Sequence, residues 1–142
     1  MTSWPNGAPR PGDLAALSRK VTASDIELFT QISGDRNPVH YDAEAAARTR
    51  FGEIVVQGGV TSAILNAVVA ERLPGPGTVF LHVTWDFLAP VRPGDEITGA
   101  VEVLEVRQDK PATKLRTTVS RQDGTVVLDG TAVCYTSPLT GG

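Results

Sequence analysis

The 142-residue chain has the composition of one globular domain, with 41% hydrophobic and 20% charged residues. A chain of this length buries about two-thirds of its unfolded surface, which is enough for a single core. Its 13 basic and 16 acidic residues nearly balance, which argues against a nucleic-acid partner and against attachment to an anionic membrane. No apolar stretch approaches the ~18 residues that a membrane span needs.

Residues that could carry redox or proton-transfer chemistry are few. Cys134 is the only cysteine, so an internal disulfide and a zinc site built from several thiolates are excluded. Only His40 and His82 can exchange protons near neutral pH without a large pKa shift. The N-terminus lacks the pattern of a secretory signal, and we expect a cytoplasmic protein.

Proline and glycine mark the two ends of the chain. Residues 1–15 contain three prolines and two glycines without periodicity, which predicts a flexible leader. Residues 138–142 predict a flexible tail. No repeat or linker interrupts residues 16–137, which we expect to form one domain.

The first half of that domain favours helices. Thr22 and Asp25 have the spacing of a capping box, and Gly34 supplies a helix stop. Asp42 can cap a second, short helix that runs to about Arg50. The segment from Val60 to Leu73 is apolar almost all round, which is typical of a helix buried inside a wrapper.

The second half favours antiparallel strands. We predict four, over Thr78–Leu88, Glu96–Arg107, about Thr113–Val119 and about Thr125–Thr136, with a bulge near Val103 and a turn at Asp123-Gly124. A long helix wrapped by one curved antiparallel sheet is an α+β architecture, the hot-dog fold. One chain supplies a narrow sheet with open edges, so two chains are expected to join as a dimer.

Asp35, Asn37 and His40 lie within six residues, on the loop between the first two helices. A carboxylate and an imidazole on either side of an Asn-Pro turn can face one cavity and hold a water molecule between them. Such a pair can take a proton from water and deliver one to carbon. The alternative is that Asp35 and Asn37 satisfy backbone groups of the turn and that His40 only packs.

Gly58 and Gly59 precede the apolar helix. Helix N-termini have unpaired N–H groups and a partial positive charge. These amides could therefore donate hydrogen bonds to a substrate carbonyl oxygen as negative charge builds on it. The alternative is that the glycines only permit close packing.

Ser62 and Asn66 are four residues apart and share one face of the same helix. They can line a substrate pocket, or they can bond backbone carbonyls without a chemical role. Four arginines, at 36, 48, 50 and 72, could meet a phosphate, although scattered arginines are usually solvated. No group of residues has metal-ligand spacing, and we expect no metal.

The string Ser33-Gly-Asp35-Arg-Asn37-Pro-Val-His40 resembles the signature of the MaoC-like, (R)-specific enoyl-CoA hydratases. The similarity continues through Val55-Val-Gln57-Gly58-Gly59 and Leu88–Glu96, and covers about residues 18–136. One position differs, because the family often has histidine where Gln57 stands. Asn66 similarly replaces a small hydroxyl residue.

The resemblance implies a hot-dog homodimer, or a higher oligomer built from it. It also implies reversible addition of water to a trans-2-enoyl-CoA, which yields the (R)-3-hydroxyacyl-CoA. Asp35 and His40 would activate the water, the Gly58 amide would bind the thioester carbonyl, and Asn37 would support the loop. No cofactor is implied, because coenzyme A enters as part of the substrate.

Two other functions stay open at this point. A hot-dog thioesterase would hydrolyse the same thioester with a carboxylate and a helix N-terminus. A non-catalytic acyl-binding subunit would leave the chemistry to a partner chain. The carrier, coenzyme A or acyl carrier protein, is also open.

Overall fold

The computed structural model describes residues 4–139, which fold into five strands, three α-helices and one 3-10 turn. In chain order these are β1 (Leu14–Lys20), α1 (Ala23–Ser33), the turn (Pro38–His40), α2 (Ala43–Ala47), α3 (Gly58–Glu71), β2 (Thr78–Phe87), β3 (Glu96–Val106), β4 (Ala112–Arg121) and β5 (Val126–Thr136). The strands form one antiparallel sheet in the order β1-β3-β4-β5-β2. The predicted α+β class is confirmed.

Helix α1 has the ends that the sequence predicts. The Thr22 N–H donates to Asp25 Oδ2 at 2.8 Å, which satisfies a donor before the first turn. Gly34 ends the helix in the left-handed region with φ 77°, and its N–H donates to the Thr30 carbonyl. Arg19 of β1 also donates two hydrogen bonds of 2.9 Å to Asp25. One carboxylate therefore caps α1 and ties it to the sheet.

Helix α3 packs one side against the sheet. Its buried residues are Val60, Thr61, Ile64, Leu65, Val68 and Val69. Gly99 of β3 permits the close approach, because a Cβ there would lie 2.7 Å from Ile64 Cγ2. On the other side of α3, Ala63 and Asn66 are exposed. A single chain therefore wraps only half of the helix that the sequence predicts to be buried.

Strand β2 forms one edge of the sheet and pairs only with β5 among the described strands. Val83 and Phe87 lie on its core face, since their register partners Ala132 and Leu128 are buried. They nevertheless remain 39% and 55% exposed. The core face of the sheet is thus uncovered along this edge.

The sheet has one strand more than we predicted. Strand β1 pairs with β3 and begins at Leu14, inside the segment 1–15 that we predicted as a leader. The Gly12 N–H and the Asp13 carbonyl both bond Val103, so the backbone just before β1 also follows β3. Only its first two residues fall in that segment; the sequence predicts a short extended piece from Leu17 to Val21, but not its pairing with β3.

Parts of the predicted leader and tail, residues 1–3 and 140–142, lie outside the described residues. The predicted bulge in β3 is confirmed by a register shift between Val103 and Glu105. Helix α2 is shorter than predicted and ends at Ala47. The Thr49 hydroxyl bonds the Ala46 carbonyl there at 2.7 Å and competes with a further helical turn.

Candidate active site

The loop after α1 is held by three side chains that each accept a hydrogen bond from the backbone N–H two residues ahead. Ser33 Oγ accepts from the Asp35 N–H, Asp35 Oδ1 from the Asn37 N–H, and Asn37 Oδ1 from the Val39 N–H, at 3.0, 3.0 and 3.2 Å. Short polar side chains favour such turns because they replace missing backbone partners. Asn37 therefore supports the loop, and its contact with substrate stays a prediction.

His40 ends the 3-10 turn and is buried, with 9% of its surface exposed. Its Nδ1 lies 2.7 Å from the Val55 carbonyl oxygen. Since a carbonyl only accepts hydrogen bonds, Nδ1 carries the proton and the neutral ring keeps its lone pair on Nε2. That Nε2 lies 3.5 Å from Asp35 Oδ2. The ring is thus held by one nitrogen and presents the other to the carboxylate.

The Asp35 side chain is 38% exposed, so this pair lies where a buried imidazole meets solvent. One carboxylate oxygen is engaged by the Asn37 N–H, and the other faces His40. The structure therefore brings the two predicted proton-transfer groups together, with two acceptor atoms converging on one point.

The N-terminus of α3 presents unpaired donors. The Val60 and Thr61 N–H groups both donate to the Gln57 carbonyl, whereas those of Gly58 and Gly59 make no hydrogen bond within residues 4–139. The first N–H groups of a helix lack intrahelical acceptors and carry the positive end of its dipole. These two N–H groups can donate hydrogen bonds to an oxyanion.

The two glycines differ in what surrounds them. At Gly59 a Cβ would lie 2.0 Å from the Phe29 ring, so the missing side chain makes room for this aromatic contact. The packing alternative therefore applies to Gly59, and its contact with substrate stays a prediction. At Gly58 a Cβ would meet only the Phe87 ring, at 3.1 Å, and the residue is exposed.

A cavity of about 470 Å³ adjoins Gly58. Its lining also includes Arg50, Phe51, Val55, Val56, Thr61, Phe87, Leu88, Ala89, Pro90, Val91 and Arg92. Val55 connects the cavity to the acid–base pair, because its carbonyl holds His40. Asp35 and His40 do not line the cavity themselves. The sequence analysis gave no role to Phe87, at the end of β2, or to Arg92, in the segment between β2 and β3.

Ser62 and Asn66 are not among the residues that line this cavity. The Ser62 hydroxyl donates to the Gly59 carbonyl at 3.4 Å, which is the backbone role left open above. Asn66 is exposed on the uncovered side of α3. Neither residue lines the cavity beside Gly58 within one chain.

Gln57 is buried, with 2% exposed, and its Nε2 donates to the Ile26 carbonyl at 3.0 Å and to Thr30 Oγ1 at 3.2 Å. The sequence analysis gave Thr30 no role. A threonine one helical turn after Ile26, on the buried side of α1, was the available signal.

Within the described part of the chain, no three His, Cys, Asp or Glu side chains are grouped as a metal site would require. No helix between residues 4 and 139 is long and apolar enough to cross a membrane.

Comparisons with known proteins identify a family for this chain. The family model described as MaoC like domain matches residues 9–125. A 3-hydroxybutyryl-CoA dehydratase of Methylorubrum extorquens is 43% identical over 117 residues, which cover 82% of this chain and 74% of the relative. An (R)-specific enoyl-CoA hydratase of Aeromonas caviae is 36% identical over 122 residues, or 86% of this chain and 91% of the relative.

A solved structure, an (R)-hydratase from A. caviae involved in PHA biosynthesis, superposes with a TM-score of 0.86 at 34% identity. The match covers 91% of this chain and 98% of that one. The predicted hot-dog fold is thereby confirmed. With the family model spanning most of its length, this chain belongs to the MaoC-like domain family.

Proposed function

We propose that the protein is an (R)-specific enoyl-CoA hydratase and 3-hydroxyacyl-CoA dehydratase, a hydro-lyase that reversibly adds water to trans-2-enoyl thioesters. The observation that carries the proposal is the approach of His40 Nε2 to within 3.5 Å of Asp35 Oδ2, beside a helix whose first amides are unpaired. The hydratases and dehydratases among its relatives support the reaction class and its stereochemistry.

The acid–base pair would orient a water molecule. Both His40 Nε2 and Asp35 Oδ2 accept hydrogen bonds, so a water between them donates both of its hydrogens. Its lone pair then points away from the pair, toward the β-carbon of a bound enoyl group. Because both hydrogens are held, the water is already oriented for attack, and the entropy cost of orienting it does not add to the reaction barrier.

In the hydration step, the water oxygen bonds to the β-carbon while one of its protons passes to the pair. The electrons of the carbon–carbon double bond move toward the α-carbon and the thioester oxygen. The Gly58 N–H at the positive end of α3 stabilises the negative charge on that oxygen. The pair then returns the proton to the α-carbon, on the face from which water attacked.

The test uses the variants Asp35→Asn and His40→Ala with crotonyl-CoA, followed by loss of the conjugated absorbance. Each positioned proton-transfer group contributes a factor of about 10²–10⁴, so either variant should be nearly inactive. Asp42→Asn is the matched control, since it neutralises a nearby carboxylate that only caps α2 and leaves a capping oxygen in place. Wild-type rates in both folded variants would remove the proposal.

The same assay distinguishes the two other functions. A thioesterase would release free thiol from crotonyl-CoA, whereas hydration releases none. An acyl-binding subunit would bind acyl-CoA without turnover of either kind.

We also propose that two copies of the chain associate along β2. This edge strand leaves Val79, Leu81, Val83 and Phe87 exposed by 39–60%, and the residue after it, Leu88, is 59% exposed. An unpaired strand with exposed apolar side chains favours pairing with a second copy by two-fold symmetry. Such a dimer would cover the core face at Val83 and Phe87, and larger assemblies could be built from it.

The carrier half of the substrate would lie in the cavity beside Gly58. Val55, Val56 and Val91 form its buried apolar floor, while Arg50 is exposed. The Arg50 guanidinium lies 5.0 Å from the centre of the Phe51 ring, which holds the charge near the cavity. A cation beside an apolar floor suits a pantetheine arm with its phosphate, which coenzyme A and acyl carrier protein share.

No added cofactor enters this mechanism, because the thioester carrier arrives with the substrate. The cytoplasmic location stays a prediction from composition.

A further inference from the structure

The Thr30 hydroxyl is the meeting point of three chain segments. Thr30 lies on α1 and is 2% exposed. Its Oγ1 lies 2.8 Å from the Asp35 carbonyl oxygen and 3.2 Å from Gln57 Nε2, and it also hydrogen-bonds the Tyr41 hydroxyl. The carbonyl of Ile26, one turn earlier on α1, lies 3.0 Å away.

The polar atoms around this hydroxyl constrain one another. Gln57 Nε2 uses its two hydrogens on the Ile26 carbonyl and on Thr30 Oγ1. Turning the amide over would place Oε1 against the Ile26 carbonyl, so the orientation of Gln57 is fixed. The Tyr41 hydroxyl can donate either to Glu27 Oε2, 3.0 Å away, or to Thr30 Oγ1, and in the second arrangement the single Thr30 hydrogen goes to the Asp35 carbonyl.

Each segment that reaches Thr30 carries one of the groups proposed for catalysis. Asp35 is reached through its own carbonyl. Tyr41 directly follows His40 in the chain, and Gln57 directly precedes Gly58. One buried hydroxyl therefore links the acid–base pair to the N-terminus of α3. Each residue that it bonds is a proposed catalytic residue or the chain neighbour of one.

We propose that Thr30 is a positioning residue, which sets the separation between the Asp35–His40 pair and the Gly58 amide. This inference rests on the proposed hydratase function. Water addition needs the pair at the β-carbon and the amide at the carbonyl oxygen of the same substrate. The Asp35–His40 pair and the Gly58 amide lie on different segments of the chain. The side chains of Thr30 and Gln57 provide hydrogen bonds between these segments.

Removal of the Thr30 hydroxyl should lower kcat more than it changes KM. The variant Thr30→Val keeps the side-chain shape but leaves the Gln57 Nε2 donor without one acceptor and frees the Asp35 carbonyl. Small displacements of catalytic groups cost large factors in rate, so we expect kcat to fall about 10- to 100-fold. The KM for crotonyl-CoA should change less than about threefold, because Thr30 touches no part of the cavity beside Gly58.

The control is Thr117→Val, which removes another fully buried hydroxyl, bonded to Trp85 Nε1 at 2.9 Å within the sheet. Urea unfolding of both variants measures their loss of stability. Thr30→Ser retains the hydroxyl and should restore most of kcat. If Thr30→Val does not fold, Gln57→Met removes the same link from the other side and should lower kcat in the same way.

A second readout does not depend on activity. In Thr30→Val, the NMR resonances of the His40 ring nitrogens and of the Gly58 amide should both shift, and in Thr117→Val neither should. Unshifted resonances in Thr30→Val would overturn the inference, as would a kcat loss no greater than that of Thr117→Val. An inactive wild-type protein whose resonances shift as expected would instead contradict the hydratase proposal alone.

Discussion

The two edge strands of the sheet differ in how well each is suited to pair with another chain. Strand β1 has seven residues and ends in exposed Ser18, Arg19 and Lys20, features that discourage pairing with another chain. Strand β2 has ten residues, and its core face is open at Val83 and Phe87. The comparison favours the β2 edge over the β1 edge for the proposed contact with a second copy.

The two ends of the sheet also differ in role: contacts at the β1 end support the fold, whereas the β2 end adjoins the candidate site. At the β1 end, Arg19 and Asp25 join the sheet to α1. At the β2 end, Phe87 packs beside Gly58, and the strand leads into the cavity lining. Changes near β1 should therefore affect folding alone, and changes near β2 should affect assembly and catalysis.

The largest effect is expected from Val83→Asp. A charge buried without a partner costs roughly 3–5 kcal/mol, so the dimer dissociation constant should rise at least about 100-fold. Analytical ultracentrifugation measures it. The matched control is Leu14→Asp on β1, where the native side chain is 73% exposed and no partner is expected. Equal sedimentation of both variants and wild type would contradict the proposed interface.

A smaller effect is expected from Arg50→Ala. Loss of one solvent-screened cation at the cavity should raise the KM for crotonyl-CoA about 3- to 10-fold. The KM for crotonyl-N-acetylcysteamine, a thioester without phosphate, should stay unchanged. Arg48→Ala is the control, since Arg48 directly follows α2 and does not line the cavity. An equal rise for both substrates would show that Arg50 does not bind phosphate.

Asp25→Asn should lower stability by about 1 kcal/mol and leave kcat unchanged. Burial opposes ionisation of Asp25, but the hydrogen bonds from Thr22 and Arg19 outweigh it, so the net pKa of this carboxyl lies below 3.8. A lowered pKa stabilises the fold above pH 3.8 and ceases to do so as pH falls through the folded-state value. Urea unfolding at pH 7 and pH 3 should show the difference between variant and wild type shrinking in acid.

The smallest effect concerns Cys134, which pairs with Phe80 of β2 and is fully buried. Burial raises the pKa of its thiol to about 12, so the reactive thiolate is scarce at neutral pH. Ellman's reagent should label the native protein slowly, and Val83→Asp equally slowly, because dimer loss leaves β2 folded. Fast labelling of Val83→Asp would mean that β2 itself had opened.

Local rules predicted the elements whose signals lie close together in the chain. The capping box at Thr22, the stop at Gly34 and the bulge near Val103 each depend on neighbouring residues, and each is found. The Asp35–His40 pair was also predictable, because a five-residue separation across an Asn-Pro turn limits how far the side chains can part.

The features that sequence reasoning missed depend on contacts between distant segments. Strand β1 exists because β3, some 80 residues later, offers it a partner. Thr30 matters only once Gln57 and Tyr41 pack against it. Ser62 and Asn66 do not line the cavity beside Gly58 in one chain, and their contact with substrate stays a prediction.

Adjacent glycines at the start of α3 have a practical consequence for redesign. Gly59 cannot accept any side chain unless the Phe29 ring moves, whereas a methyl at Gly58 would come within 3.1 Å of the Phe87 ring. A mutant library aimed at new acyl groups should therefore randomise position 58 together with position 87 and keep position 59 constant.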